Sequence, residues 1–192
     1  MDRYQHIEQT RFLGAEFLTW LWFKLDLFEG HFELAETGPC EVWIESNLGL
    51  TDPDRPHERV MLHGKQPSQS TEAASALRDG KLPVKAALRL TQGTQEYLFT
   101  FDARSFALSS VKLPAVLTQE ADEPIYERLR LLQELDRALS GLFREFLTLR
   151  LSPVWDQRLA AALAAWARGR ATLSKRQYQG LLKRAAPRAR RR

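Results

Sequence analysis

The chain has very little cysteine: Cys40 is the single thiol among 192 residues. One thiol excludes an internal disulfide framework and any zinc site built from several cysteines. Without disulfides, the cytoplasm is the expected compartment. Long apolar runs are also missing, because the most apolar stretch, residues 12–28, contains three charged side chains. That stretch is too short and too charged to span a bilayer, and the polar start MDRYQHIEQTR is unlike a signal peptide, so we expect no membrane partner.

Motifs that indicate an enzyme are absent. The sequence contains no GxSxG, P-loop or GxGxxG pattern. No metal-ligand spacing occurs among the four histidines, His6, His31, His57 and His63. Paired carboxylates, Glu33 with Glu36 and Asp52 with Asp54, leave a nuclease or other carboxylate-based enzyme as the weakest of three hypotheses. We therefore predict that the protein is not an enzyme and has no catalytic residues, no metal site and no cofactor.

Acidic residues are missing from the C-terminal end. The whole chain has 28 Lys+Arg against 24 Asp+Glu, a net charge of +4. Residues 168–192 hold ten bases and no acid, which leaves a net charge of −6 on residues 1–167. An acidic body with a basic arm indicates a polyanionic partner, and nucleic acid is the commonest one because neutralised phosphates release counterions. The alternative is a solvated terminus that only keeps the protein soluble.

A second basic group lies on a predicted strand, LPVKAALRLT (82–91). Lys85 and Arg89 are four residues apart and share one face, whereas Val84, Ala86, Leu88 and Leu90 take the other. Such bases can follow a phosphate backbone, although an amphipathic strand with one wet face has the same pattern. The predicted DNA-binding residues are Lys65, Lys81, Lys85, Arg89, Arg168, Arg170, Lys175, Arg176, Lys183, Arg184, Arg188, Arg190, Arg191 and Arg192.

Periodicity and turn signals predict an α+β fold, in which an antiparallel sheet and the helices are segregated. The predicted helices are 11–28 with Thr10 as N-cap, 68–77 ending at Gly80, a long helix from the cap Asp122 to 149, Ala-rich 154–168, and 174–186 with Ser174 as cap. The predicted strands are 31–36, 40–46, 58–64, 82–91, 95–101 and 105–113. Residues 47–58 look like a loop, and the terminal residues 186–192 look disordered.

Two helices carry unusually large apolar surfaces. Helix 11–28 has aromatic residues on more than one face, and we expect it to be buried in the core. The long helix repeats apolar residues at three or four positions: Ile125, Leu129, Leu132, Leu135, Leu139, Leu142, Phe146 and Leu149. This stripe is expected to be a core face, with a coiled-coil seam as the alternative. If both surfaces were exposed, the chain would be a protein-protein interaction module.

Residues 58–114 resemble the C-terminal half of the recombination-associated protein RdgC family. The similarity lies in a strand ending near Gly64-Lys65-Gln66, a Ser/Thr-rich helix start, the pair Gly80-Lys81, a strand with Lys85, and a hairpin followed by Lys112-Leu113. The following helix, to Phe146, is similar in position. FLGAEFLTWLWF (12–23) is also similar to a motif in divergent members.

The resemblance implies non-sequence-specific binding of duplex DNA, homodimers that form a ring around it, and a role in recombination or at the nucleoid. Compared with that family, we expect this chain to be without the N-terminal half that helps to build the ring, and it has one lysine, Lys65, where the resemblance implies a denser basic cluster. We predict an RdgC C-terminal-like domain over residues 1–153, followed by an Ala-rich helix and basic tail over 154–192. The rival hypothesis is a module that binds a protein partner.

Overall fold

A computed structural model describes residues 3–116 and 123–186, with side chains from residue 13 onward. Within these residues, helices pack on one face of a six-stranded antiparallel sheet, which confirms the α+β prediction. The helices are α1 (Arg3–Phe28), α2 (Thr71–Arg78), α3 (Glu123–Arg150), α4 (Ala160–Ala167) and α5 (Lys175–Ala185). The strands are β1 (His31–Leu34), β2 (Gly38–Thr51), β3 (Arg59–His63), β4 (Leu82–Gln92), β5 (Gln95–Asp102) and β6 (Ala107–Lys112).

The sheet has the order β1-β2-β4-β5-β6, and β3 pairs with the C-terminal half of β2. Alternation along the strands sends one set of side chains into the core. Leu90 shows the register, because it lies opposite Val42 on β2 and Tyr97 on β5, and all three are buried. The other face carries mostly polar side chains, and no helix among the described residues covers it.

Helix α1 is the centre of the core. Trp20, Leu21 and Phe23 are completely or almost completely buried, which confirms the expected burial of its aromatic faces. A side chain at Gly14 would place its Cβ 1.8 Å from the carbonyl oxygen of Ala103. Only glycine therefore allows α1 to lie this close to the turn after β5. No helix of the described segments is long and apolar enough to cross a membrane.

Two N-terminal predictions are wrong in detail. Helix α1 begins at Arg3, so Thr10 lies inside the helix and does not cap it. Strand β2 continues to Thr51, five residues beyond the predicted end, where the sequence looked like a loop. An irregularity in the pairing with β4 between Ile44 and Leu48 explains the error, because it breaks the simple alternation while keeping both leucines, Leu48 and Leu50, buried.

The helices after β3 match the prediction with shifted boundaries. Residues Pro67–Gln69 form a separate 3-10 turn, so α2 begins at Thr71, and the Ser70 side chain caps it by accepting a hydrogen bond from the Ala73 amide. The Ala-rich segment is divided into a π-helical turn, Trp155–Leu159, and α4. Helix α5 has the predicted Ser174 cap. The predicted cap Asp122, and residues 187–192 of the terminus predicted to be disordered, lie outside the described residues.

The predicted apolar stripe of α3 is buried along only part of the helix. Leu135, Leu142, Phe146 and Leu149 are buried as expected, but Ile125, Leu129 and Leu132 are exposed. The reason is geometric: spacings of three and four residues do not average 3.6 over this stripe, so it drifts around the helix and its first members face away from the core.

Candidate nucleic-acid interface

Within the basic C-terminal segment, Lys175–Ala185 form α5, and this helix packs against the body of the protein. Tyr178 and Leu181 of α5 are buried, and Tyr178 belongs to the same core cluster as the aromatic residues of α1. Its ring packs edge-on against Phe28, with the ring centroids 5.5 Å apart. The apolar positions of α5 therefore face the body, and its basic positions face solvent.

A buried polar network anchors α5. The Tyr178 hydroxyl donates to Glu145 Oε1 at 2.8 Å and accepts from Trp20 Nε1 at 3.0 Å. Lys24 Nζ donates to Glu145 Oε2 at 2.6 Å, and the Lys24 side chain is only 3% exposed. Burial lowers the pKa of Lys24 although Glu145 favours the charged form, and burial together with Glu145 raises the pKa of Tyr178 well above its usual value. The network joins α1, α3 and α5.

Helix α5 carries four exposed bases, and Lys175 is the one among them that pairs with an acid of the described residues. Arg176, Lys183 and Arg184 are exposed and form no ion pair with any residue the structure describes. Gly180 lies among them, and a Cβ there would meet no atom within 4 Å. An interior helical glycine costs roughly 1 kcal/mol relative to alanine, and no contact with the described residues explains its presence here. The solvent face of α5 is therefore positively charged, and at Gly180 no side chain projects from it.

Two more bases precede α5. Arg168 and Arg170 are exposed in the connection from α4. Arg170 also lines a cleft of about 240 Å³, together with Arg78 of α2. Asp26 lies in the same cleft, where burial raises its pKa and Trp166 Nε1 donates to its carboxylate at 2.9 Å. Arg78 is a base that the sequence analysis missed, because its proximity to Arg170 depends on how α2 packs.

Other predicted bases are engaged by acids. Lys175 Nζ is 3.1 Å from Glu29 Oε1, and Lys81 Nζ is 4.0 Å from Glu58 Oε2.

Arg89 has two acidic partners. It lies 2.7 Å from a Glu45 oxygen through Nε and 3.6 Å from a Glu96 oxygen through Nη1. The charge of Arg89 is therefore compensated within the protein, and this face of the sheet carries both positive and negative side chains.

The remaining predicted residues are separate from α5. Lys85 is exposed and points away from the core as predicted, and it lies opposite Asp102 of β5. Lys65 is exposed beside an open pocket of about 500 Å³ that Glu72 also lines. The last four predicted bases, Arg188, Arg190, Arg191 and Arg192, lie outside the described residues.

Within the described side chains, no group of three or more His, Cys, Asp or Glu residues could hold a metal ion. Burial raises the pKa of the Cys40 thiol to about 11, which disfavours the reactive thiolate at neutral pH. No family model, curated protein or solved structure matches this chain. The resemblance to the RdgC family therefore stays a prediction.

Proposed function

We propose that the chain binds DNA without sequence preference, through the solvent face of α5 and the arginines before it. The observation that carries this proposal is the contrast between compensated and uncompensated bases. Arg176, Lys183 and Arg184 have no acidic partner in the described part of the chain, whereas Arg89 has two. No acid follows Asp156 in the sequence, so nothing nearby along the chain offsets this charge.

The binding is expected to be non-specific because the groups available are long cationic side chains on a solvent face. Such groups neutralise phosphates, and phosphate contacts carry no direct sequence information. The net charge of −6 on residues 1–167 repels DNA from the body and favours approach from the α5 end. A cytoplasmic homodimer that acts in recombination or at the nucleoid, as the RdgC resemblance implies, is part of the same proposal.

The test is to measure duplex DNA binding by fluorescence anisotropy at several salt concentrations. Contact by about six bases gives a slope of log K against log salt of roughly −5. Arg176→Gln, Lys183→Gln and Arg184→Gln combined should reduce the magnitude of that slope by about 3, equally for unrelated sequences. Substitution is preferable to deleting residues 168–192, because the deletion would remove Tyr178 and Leu181 from the core.

A matched control removes the same charge elsewhere. The control uses three exposed arginines away from α5. Arg59 lies on β3, Arg104 in the turn after β5, and Arg137 on α3. Their triple change to Gln should leave the slope nearly unchanged. Equal effects from both triple variants would mean that net charge alone governs binding, and an unchanged slope in the α5 variant would remove this helix from the site.

For the alternative, a protein-protein interaction module, the described residues offer one supporting observation on the helices that the sequence analysis singled out. The aromatic side chains of α1 from residue 13 onward lie in the core and are not available to a partner. The first turns of α3 are different, because Ile125, Tyr126, Leu129 and Leu132 remain exposed.

A further inference from the structure

The cleft of about 240 Å³ that contains Arg170 lies where α1, α2 and the end of α4 meet. Trp22 and Leu77 line it and are buried, so they lie at its inner end. Arg78 and Arg170 are exposed and lie at its mouth. Much of the remaining wall is apolar, and the half-buried ring of Trp166 is its largest side chain. An apolar cleft with a few polar groups has the composition of a ligand site.

Both arginines at the mouth of the cleft start from ordered backbone. Arg78 is the last residue of α2. After α4, the Gly169 amide donates to the Trp166 carbonyl at 2.8 Å, and the Arg170 amide donates to the Ala165 carbonyl at 2.9 Å. Gly169 has a φ of 68°, the left-handed conformation that this kind of helix end requires. The two guanidinium groups are therefore brought to one cleft by the ends of two helices.

The charges of this cleft are not satisfied by one another. Arg78 and Arg170 form no ion pair with any residue that the structure describes. Asp26 lines the same cleft, but its Oδ2 accepts a hydrogen bond from Trp166 Nε1 at 2.9 Å. Its Oδ1 has no donor among the described groups. The cleft thus offers two cationic donors at its mouth, one acceptor on its wall and an aromatic ring between apolar side chains.

We infer that this cleft binds one unpaired nucleotide of a DNA strand. The base enters the cleft and packs against the Trp166 ring, as unpaired bases do on aromatic side chains. Asp26 Oδ1 accepts from an N–H group on the edge of the base. The phosphate stays at the mouth, where Arg78 and Arg170 bind it. This inference rests on the proposed DNA binding and adds to it a preference for ends, gaps and displaced strands over intact duplex.

The size and chemistry of the cleft select this ligand. A volume of about 240 Å³ holds about eight water molecules, which is room for one nucleobase but not for a base pair. In an intact duplex each base is stacked and its Watson–Crick edge is occupied, so it enters such a cleft only after it is flipped out. An inorganic anion would use the two arginines alone and leave Asp26 and Trp166 without a role.

Two DNA hairpins with equal charge test the inference on the full-length protein. One hairpin carries a single-stranded overhang, and the overhang of the other has the same sugars and phosphates but no bases. Fluorescence anisotropy should show that the overhang with bases binds about 10-fold more tightly. Because the phosphates are the same, this difference measures base binding alone.

Two substitutions on α2 locate the base. Ala74 is exposed and lines the cleft, so Ala74→Phe fills the cleft without a change of charge and should abolish the difference between the hairpins. Ser75→Phe is the matched control, because Ser75 is its exposed neighbour and does not line the cleft. This variant should keep the 10-fold difference of about the wild-type size. Arg78→Gln combined with Arg170→Gln, both at exposed positions, should also reduce the difference.

The outcomes separate this inference from the proposed function. Equal affinity of the wild type for both hairpins would overturn the inference and leave the proposed DNA binding intact. A difference that survives in the Ala74→Phe variant, with the fold verified by circular dichroism, would also overturn it, because the base would then bind elsewhere.

Binding of neither hairpin would instead mean that the proposed function fails. Deoxyguanosine monophosphate alone is then titrated while tryptophan fluorescence is recorded. A fluorescence change that Ala74→Phe removes would support the cleft as a site for a free nucleotide, and no change would overturn the inference.

Discussion

Glu145→Gln is expected to be the most informative substitution in the core, because Glu145 is the counter-ion of a buried lysine. Lys24 Nζ and the Tyr178 hydroxyl both donate to this carboxylate, at 2.6 and 2.8 Å. Glutamine keeps the size and one acceptor oxygen but removes the negative charge. The Lys24 ammonium would then be buried without compensation, and the folded variant would keep it neutral.

The magnitude follows from the proton that Lys24 must lose. The pKa of lysine in the unfolded chain is near 10.4, and each pH unit below it adds about 1.4 kcal/mol to the cost of a neutral amine. Holding Lys24 neutral therefore costs about 4.6 kcal/mol at pH 7 and about 1.9 kcal/mol at pH 9. The unfolded state then binds more protons than the folded state, so the free energy of unfolding of the variant rises with pH. The deficit relative to wild type should therefore shrink between pH 7 and pH 9.

Urea unfolding at several pH values measures this deficit, and two variants control for it. Glu36→Gln breaks the exposed ion pair between Glu36 and Arg144 and should cost about 1 kcal/mol or less, independently of pH. Lys24→Met combined with Glu145→Gln removes the buried ammonium and should regain most of the stability at pH 7. A Glu145→Gln deficit that does not change with pH would refute the reasoning, because Lys24 would then not be the group that loses its proton.

Further predictions concern the packing of glycines on two helices and the charges on β4. Gly14→Ala should destabilise the protein by about 1–3 kcal/mol in thermal or urea unfolding, because the new Cβ meets the Ala103 carbonyl. Gly141→Ala, where a Cβ meets nothing, should instead stabilise it by about 0.5–1 kcal/mol, and equal effects would contradict the packing argument. Arg89→Glu should lower stability because it adds a carboxylate beside Glu45 and Glu96. Lys85→Glu should fold normally and weaken DNA binding if β4 contributes, and normal binding would exclude that strand.

Local signals were sufficient for the architecture. Alternating strands with turn residues, together with long apolar repeats, predicted the helix and strand order, because these patterns depend only on neighbours in sequence. The cap of α5 is an example: Ser174 and Gln177 satisfy each other's backbone amides within one turn, so the sequence shows the helix start directly.

Contacts between distant segments were beyond the sequence analysis. Lys24 and Glu145 are 121 positions apart, and nothing local marks them as a pair. The same holds for Arg89, whose compensation by Glu45 and Glu96 depends on strand register. The sequence analysis predicted a basic surface from the side chains of β4 alone. The acids that compensate it lie on the two neighbouring strands, β2 and β5.

The docking of α5 changes what its bases can contribute to binding. A free arm loses conformational entropy when it is ordered on DNA, which reduces the affinity that each phosphate contact supplies. Here Tyr178 is held by Glu145 and Trp20, so Arg176 and Lys183 start from a fixed helix about two turns apart. The Tyr178 hydroxyl bridges Trp20 of α1 and Glu145 of α3, so the hydrogen bonds fix the orientation of α5 against both helices. Under the proposed function, this fixed orientation of α5 determines which of its faces is presented to DNA.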